Sequence, residues 1–136
     1  MSDCVFCSIV AGELPSYKVY EDERTLAFLD IHPVSTGHIL VIPKVHSANI
    51  FEVKEEDWAA VNKTVHKLVP AIDKALGADG VNLMMNNREH AGQVVHHAHI
   101  HLIPRFRGDG LKLWPHKDYK EGEAKTVQEK ICALVS

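Results

Sequence analysis

The stretch His97-Ala98-His99-Ile100-His101-Leu102-Ile103-Pro104 alternates imidazole with aliphatic side chains, and its reading decides the fold. A β-strand sends every second side chain to the same face. Read that way, the segment lines up His97, His99 and His101 on one side and turns Ala98, Ile100 and Leu102 into an apolar core. A helix would scatter the three histidines around its axis, and the intervening residues suit a half-buried strand better. Three imidazoles within about 7 Å of one another repel as soon as two are protonated, which argues against a chance polar face. Two chemistries use such a cluster: a metal site, since imidazole is a common ligand, and a histidine nucleophile held by its neighbours.

Working outward, Val81 to Asn86 reads as a strand, and the loop Asn87 to Gln93 carries the chain from it to the histidines. Upstream, Trp58, Val61, Val65, Leu68, Val69, Ile72 and Leu76 recur at three- and four-residue steps, predicting one long helix over 54–76. Pro70 inside it removes a backbone donor and predicts a kink. His38-Ile39-Leu40-Val41-Ile42-Pro43 is a near-continuous apolar strand of the kind buried on both faces. Lys18 to Glu21 and Leu26 to Asp30, joined by polar Asp22-Glu23-Arg24, form a hairpin signal. Residues 6–11 read as a short helix stopped by Gly12 and Pro15. Ala124, Val127, Ile131 and Leu134 mark a final amphipathic helix. Strands and helices do not alternate, so the class is α+β: an antiparallel sheet of about five strands with one long helix and short terminal helices. There is no internal repeat or linker, and 1–136 reads as a single domain with 106–136 as its C-terminal extension.

A chain of 136 residues, 46% hydrophobic and 24% charged, has the length for a real core. A net charge of −3 and a pI near 6.3 disfavour nucleic acid as a partner. No apolar run reaches membrane-spanning length and the first residues lack a signal peptide's pattern, so a cytoplasmic protein without membrane association is expected. Neither Gly-x-Gly-x-x-Gly after a strand nor Gly-x4-Gly-Lys-Ser/Thr occurs, which leaves phosphate binding by those loops out. The three cysteines, an odd count, do not suggest a secreted disulfide framework. Cys132 reads as packed in the C-terminal apolar stripe. Cys4 and Cys7 form a C-x-x-C pair outside any thioredoxin-like context, which favours a zinc ion shared with histidines over redox chemistry.

The run Gly92-Gln93-Val94-Val95-His96-His97-Ala98-His99-Ile100-His101-Leu102-Ile103-Pro104-Arg105 resembles the signature of the histidine triad (HIT) family. Cys4-Val5-Phe6-Cys7, Ala11-Gly12-Glu13-Leu14-Pro15, Leu26-Ala27-Phe28-Leu29-Asp30-Ile31, Gly37-His38, Val41-Ile42-Pro43-Lys44, His46 and Asn86 fall in the family's order and spacing, so the resemblance covers residues 4–105. It implies a HIT-like fold and a small homodimeric nucleotide hydrolase that cleaves a nucleoside 5′-monophosphate, AMP in the first place, from an amine or phosphate leaving group. By that pattern His99 is the nucleophile and forms a nucleotidyl-histidine intermediate, which water then hydrolyses. Imidazole suits this chemistry. With a reference pKa of about 6.5 it is largely neutral at pH 7, and it leaves phosphorus readily once protonated.

The resemblance further implies supporting roles for His97, His101 and His38, and a contact of Gln93 with the leaving group. Phe6, Ile9, Phe28 and Ile31 would form an apolar slot for a purine base, with Asp30 accepting from the ribose hydroxyls. Asn86, Gly92 and Val95 would complete the nucleotide site. Some triad proteins bind zinc at the positions of Cys4, Cys7, His46 and His97; four protein ligands make that a closed structural site. No organic cofactor is implied.

Two departures limit the transfer. Val94 stands where the animal phosphoramidases usually carry a hydroxyl that reaches phosphate. The segment Trp114-Pro115-His116-Lys117-Asp118 and the following helix also differ from the short aromatic tail of those members. His101 argues against the related transferases and phosphorylases, whose pattern ends in glutamine. Alternative functions are a dimeric purine-nucleotide-binding signalling scaffold with incidental hydrolysis, a dinucleoside polyphosphate hydrolase, and, third, a zinc hydrolase with His97, His99 and His101 as ligands. His32, His66, His90, His96 and His116 receive no role.

Overall fold

A computed structural model of the chain describes residues 3–135. In chain order these form α1 (Val5–Val10), β1 (Lys18–Glu21), β2 (Thr25–Leu29), β3 (Ile39–Pro43), α2 (Glu55–Leu76), β4 (Gly80–Met84), β5 (Ile100–Arg105) and α3 (Glu123–Val135), with one 3-10 turn at Glu89–Ala91. The five strands make one sheet in the order β1-β2-β3-β5-β4, every neighbouring pair antiparallel. The α+β architecture expected from the pattern is the one observed.

Local chemistry accounts for the elements. Cys4 caps α1, its sulfur accepting from Cys7 N at 3.3 Å. Glu55, Glu56 and Asp57 in the first turn of α2 and Lys74 in its last turn oppose the helix dipole, and Gly77 closes it at φ 61°. The helix continues unbroken through Pro70. The hairpin of β1 and β2 is tied at its turn by Asp22, whose Oδ1 accepts from the backbone N–H groups of Arg24 and Thr25, both at 2.8 Å.

Alternation along the central strands splits the core into two layers. Ala27, Ile39, Val41, Ile100 and Leu102 face α2 and pack with Val61, Val65, Leu68 and Ile72. Leu26, Phe28, Leu40 and Ile42 face the other way and pack with Phe6 and Ile9 of α1. Each fully buried aliphatic side chain contributes about 1.5–3 kcal/mol, so both layers are strong enough to fix the register. The sheet is therefore covered on both faces, and the short helix α1 sits on the histidine side.

Three expectations need correction. The histidine strand does not start at His97: the ladder with β3 ends at the pair Val41↔Ile100, and β5 begins at Ile100. Upstream the chain turns to the segment after β3, where Ala98 N donates to Ser47 O at 2.7 Å. Nor do the three histidines share one side: the buried ring of His97 turns to Pro43 O at 2.8 Å, away from His99 and His101. Cys132 is exposed rather than packed, and α3 buries none of its residues: Ile131, Leu134 and Val135 are 57%, 87% and 78% exposed.

Candidate active site and metal cluster

A cavity of about 610 Å³ opens between α1, the ends of β2 and β5, and the loops that follow Asp30 and Asn86. The volume falls in the range of small-molecule sites. Phe6, Ile9, Phe28, Asp30, Ile31, Asn86, Gly92 and Val95 all line it, together with His99 and His101. Phe6 is central: its ring stands edge-on to Phe28 at 5.4 Å and to His99 at 5.1 Å between centroids. Ile31 and Val94 form the rim, at 71% and 86% exposed. Leu14, Pro15, Ser16 and His32 also line the cavity. Leu14 and Pro15 belong to a stretch that matches the family pattern without an assigned role, Ser16 carries no signal, and His32 stands two residues after Asp30.

Backbone groups fix which nitrogen of each histidine carries its proton. At His99, Nδ1–H donates to the carbonyl of His97 at 2.6 Å, which leaves Nε2 as a bare lone pair. At His38, Nδ1 accepts from Val34 N at 3.0 Å, so the neutral ring carries its proton on Nε2. That proton is donated to Nδ1 of His101 at 2.9 Å, and the proton of His101 is thereby placed on Nε2. The carboxylate of Asp30 lies 3.7 Å from His38 Nε2 and accepts from His32 N at 2.8 Å. The site therefore offers a lone pair at His99 and an N–H at His101, with ring centroids 4.8 Å apart.

Burial keeps these rings neutral. Desolvation lowers the pKa of His99 and, with repulsion from His99 and His38, pushes that of His101 down to about 4. His38 is lowered by the same cause, partly offset by the attraction of Asp30.

The ring of His97 points away from this group. Its Nε2–H donates to Pro43 O at 2.8 Å, so the Nδ1 lone pair faces Cys4 Sγ at 3.4 Å, Cys7 Sγ at 3.5 Å and His46 Nδ1 at 3.3 Å. Cys7 Sγ lies 3.3 Å from His46 Nδ1. A tetrahedral zinc ion, with about 2.0–2.1 Å to nitrogen and about 2.3 Å to sulfur, has donor–donor edges of about 3.3 Å for N–N and about 3.5 Å for N–S. The donor set fits such an ion, and it is closed to substrate. Asp30, His38 and His101 also bring ligand atoms together. There, however, the Val34 amide holds His38 in the tautomer whose Nε2 bears a proton, which disqualifies it as a ligand. His97, His99 and His101 do not converge on one point as three ligands would.

His38 and Gln93 both stand behind the wall, the first in the supporting place expected of it and the second away from the leaving group it was expected to touch. His38 contacts His101 and is 3% exposed. Gln93 is 4% exposed, and its amide bonds to three backbone groups rather than facing the cavity.

Buried His99 and half-buried His101 beside an apolar cavity, on a five-stranded antiparallel sheet whose α1 face carries a Cys2His2 cluster, define a class of small α+β domain with a histidine-lined cavity. Residues 11–108 match the HIT domain family, and the chain belongs to it. It is 44% identical over 134 residues to protein hit of Bacillus subtilis, covering 96% of this chain and 92% of that one. It is 40% identical over 134 residues to the adenosine 5′-monophosphoramidase hnt1 of Schizosaccharomyces pombe, covering 97% and 98%. Among solved structures, a Streptococcus mutans protein superposes with a TM-score of 0.94 at 44% identity, over 100% of this chain and 87% of that one. A zinc-bound histidine triad protein of Mycobacterium smegmatis superposes with a TM-score of 0.78 at 36% identity, over 96% and 97%.

Proposed function

We propose that the protein hydrolyses nucleoside 5′-monophosphates, AMP foremost, from an amine or phosphate leaving group through a covalent intermediate on His99. One observation carries this reading: the bond from His99 Nδ1–H to the carbonyl of His97 leaves Nε2 unprotonated inside a largely apolar cavity. In the first step Nε2 attacks the α-phosphorus, the bond from phosphorus to the leaving group breaks, and the leaving group departs with a proton. The imidazolium so formed keeps its Nδ1–H on the His97 carbonyl, whose dipole opposes the new positive charge. His101 Nε2–H, its tautomer set through His38, donates to the phosphoryl oxygens or to the leaving atom. In the second step water adds to phosphorus and passes a proton back to His101, replacing the one given to the leaving group, while the P–N bond breaks with its electron pair returning to Nε2, which leaves His99 neutral. Phe6, Ile9, Phe28 and Ile31 enclose the purine, and Asp30 accepts from the ribose hydroxyls. Asn86, Gly92 and Val95 border the phosphate.

Zinc at Cys4, Cys7, His46 and His97 anchors α1 to the histidine segment and takes no part in the chemistry. Thiolate ligands of this kind fit a reducing, cytoplasmic setting. The working unit is a homodimer, with 106–136 an extension of the same domain. Support comes from β4 at the sheet edge, with Leu83 55% exposed, and from the uncovered apolar face of α3.

The test is AMP release from adenosine 5′-phosphoramidate by wild type and by His99→Ala, with samples quenched in alkaline denaturant, where the P–N bond survives, and weighed by mass spectrometry. Wild-type turnover, a protein species heavier by one adenylyl group, and a loss of at least about a thousandfold in the variant are expected. Equal rates in the two proteins would remove His99 as nucleophile. AMP binding without turnover in the wild type would favour the binding scaffold.

A further inference from the structure

Gln93 sits in the loop between β4 and the histidine segment, yet its side chain is buried. Its amide is spent on the main chain. Oε1 accepts from Arg88 N at 2.7 Å, and Nε2 donates to Ala48 O at 2.6 Å and to Val95 O at 3.0 Å. The backbone N–H of Gln93 closes a ring by donating to Arg88 O at 3.1 Å.

The residue gripped in this way is strained. Arg88 has φ 73° and ψ 161°, a region that glycine enters freely and side chains avoid. Among the described residues no other non-glycine has a positive φ. Such strain persists only where surrounding structure over-determines it. Two further ties bind this loop to the one after His46: Asn87 Oδ1 accepts from Ile50 N at 2.8 Å, and the Arg88 guanidinium lies 3.8 Å over the Phe51 ring. On either side of the strained turn are Asn86, Gly92, Val94 and Val95, which form one wall of the cavity.

We propose that Gln93 is a positioning residue that holds Arg88 in its strained conformation and so fixes the wall of Asn86, Gly92 and Val95 against the reacting phosphate, without touching substrate. The kinetic part rests on the hydrolase reading above. A group in contact with the leaving atom would matter differently for different leaving groups. A group that only sets the wall affects all of them alike.

The experiment uses the full chain. Gln93→Met preserves bulk and deletes the three side-chain bonds. It is expected to lower kcat about tenfold or more, by the same factor for adenosine 5′-phosphoramidate and for the p-nitrophenyl ester of AMP, with KM moving less. Adding Arg88→Gly, which makes the grip unnecessary, is expected to restore kcat by about threefold or more and to raise Tm above that of Gln93→Met. Losses that differ about tenfold or more between the leaving groups, or a deficit untouched by Arg88→Gly, would overturn the proposal. If Gln93→Met does not fold, hydrogen exchange in the wild type decides. The Arg88 amide is expected to exchange roughly a hundredfold more slowly than that of His90, and equal rates would overturn the grip. If the wild type hydrolyses neither compound, the hydrolase reading fails, while exchange at Arg88 and the Tm of the variants still judge the grip.

Discussion

The three histidines of the motif have one spacing and three different jobs for their nitrogens, set by main-chain carbonyls at His97 and His99 and by the His38 ring at His101. His97 Nε2 is tied to Pro43, His99 Nδ1 to the carbonyl of residue 97, and His101 Nδ1 to a ring oriented by Val34. Period-two alternation shows the cluster but cannot assign tautomers, because the partners are two main-chain carbonyls and the His38 ring, none of which the spacing of the motif specifies. The depressed pKa of His101 has a measurable consequence. Unfolded, the ring titrates near 6.5; folded, near 4. Between those values the unfolded chain binds the extra proton, so stability is full above about pH 6.5 and declines as pH falls toward 4. The decline is at most about 3 kcal/mol, and solvent screening of this part-exposed ring reduces it. Thermal melts from pH 7.5 to 4 should show His101→Gln losing less Tm than the wild type over that window. Parallel curves would mean that His101 is not the group responsible.

At the level of elements, the long helix and the strands were legible within one or two residues because period and punctuation agree there. Gly77 ends α2 where its apolar series ends, and Gly12 follows α1 at φ 78°. The start of β5 was not legible, since the ladder stops where Ala98 finds Ser47, a partner chosen by tertiary contact. Gly37 was read only as part of a family pattern, and its reason is geometric: φ is 88° and a Cβ would collide with Leu76. Gly37→Ala should cost about 1–2 kcal/mol or more, read from urea unfolding, and a neutral result would show that α2 can shift to admit it. The cluster of Cys4, Cys7, His46 and His97 predicts a second element-scale result. Chelation or Cys7→Ser should lower Tm and weaken AMP binding together, because Phe6 and Ile9 ride on the helix so tethered. Chelation that abolished turnover at unchanged Tm and affinity would instead point to a catalytic metal.

For the molecule as a whole, the sheet ends in two edge strands, β1 and β4, and one helix lies off it. An isolated helix of 13 residues is marginal in water, and α3 finds no cover among the described residues. The periodicity of Ala124, Val127, Ile131 and Leu134 was readable, but not what would cover it, because a second chain leaves no mark in the spacing of the first. Ile131→Glu combined with Leu134→Glu should shift the proposed dimer toward monomer in sedimentation and lower Tm. An unchanged mass would place the dimer contact at β4 alone. No helix among the described residues is long and apolar enough to cross a membrane. The burial of His97 has a different kind of consequence. Its carbonyl serves His99, and any amino acid would supply that; only its ring serves the metal cluster. Anchorage of α1 and tautomer control thus meet at one position but depend on separable atoms, so the cysteines can be lost by mutation while the bond that sets the His99 tautomer stays.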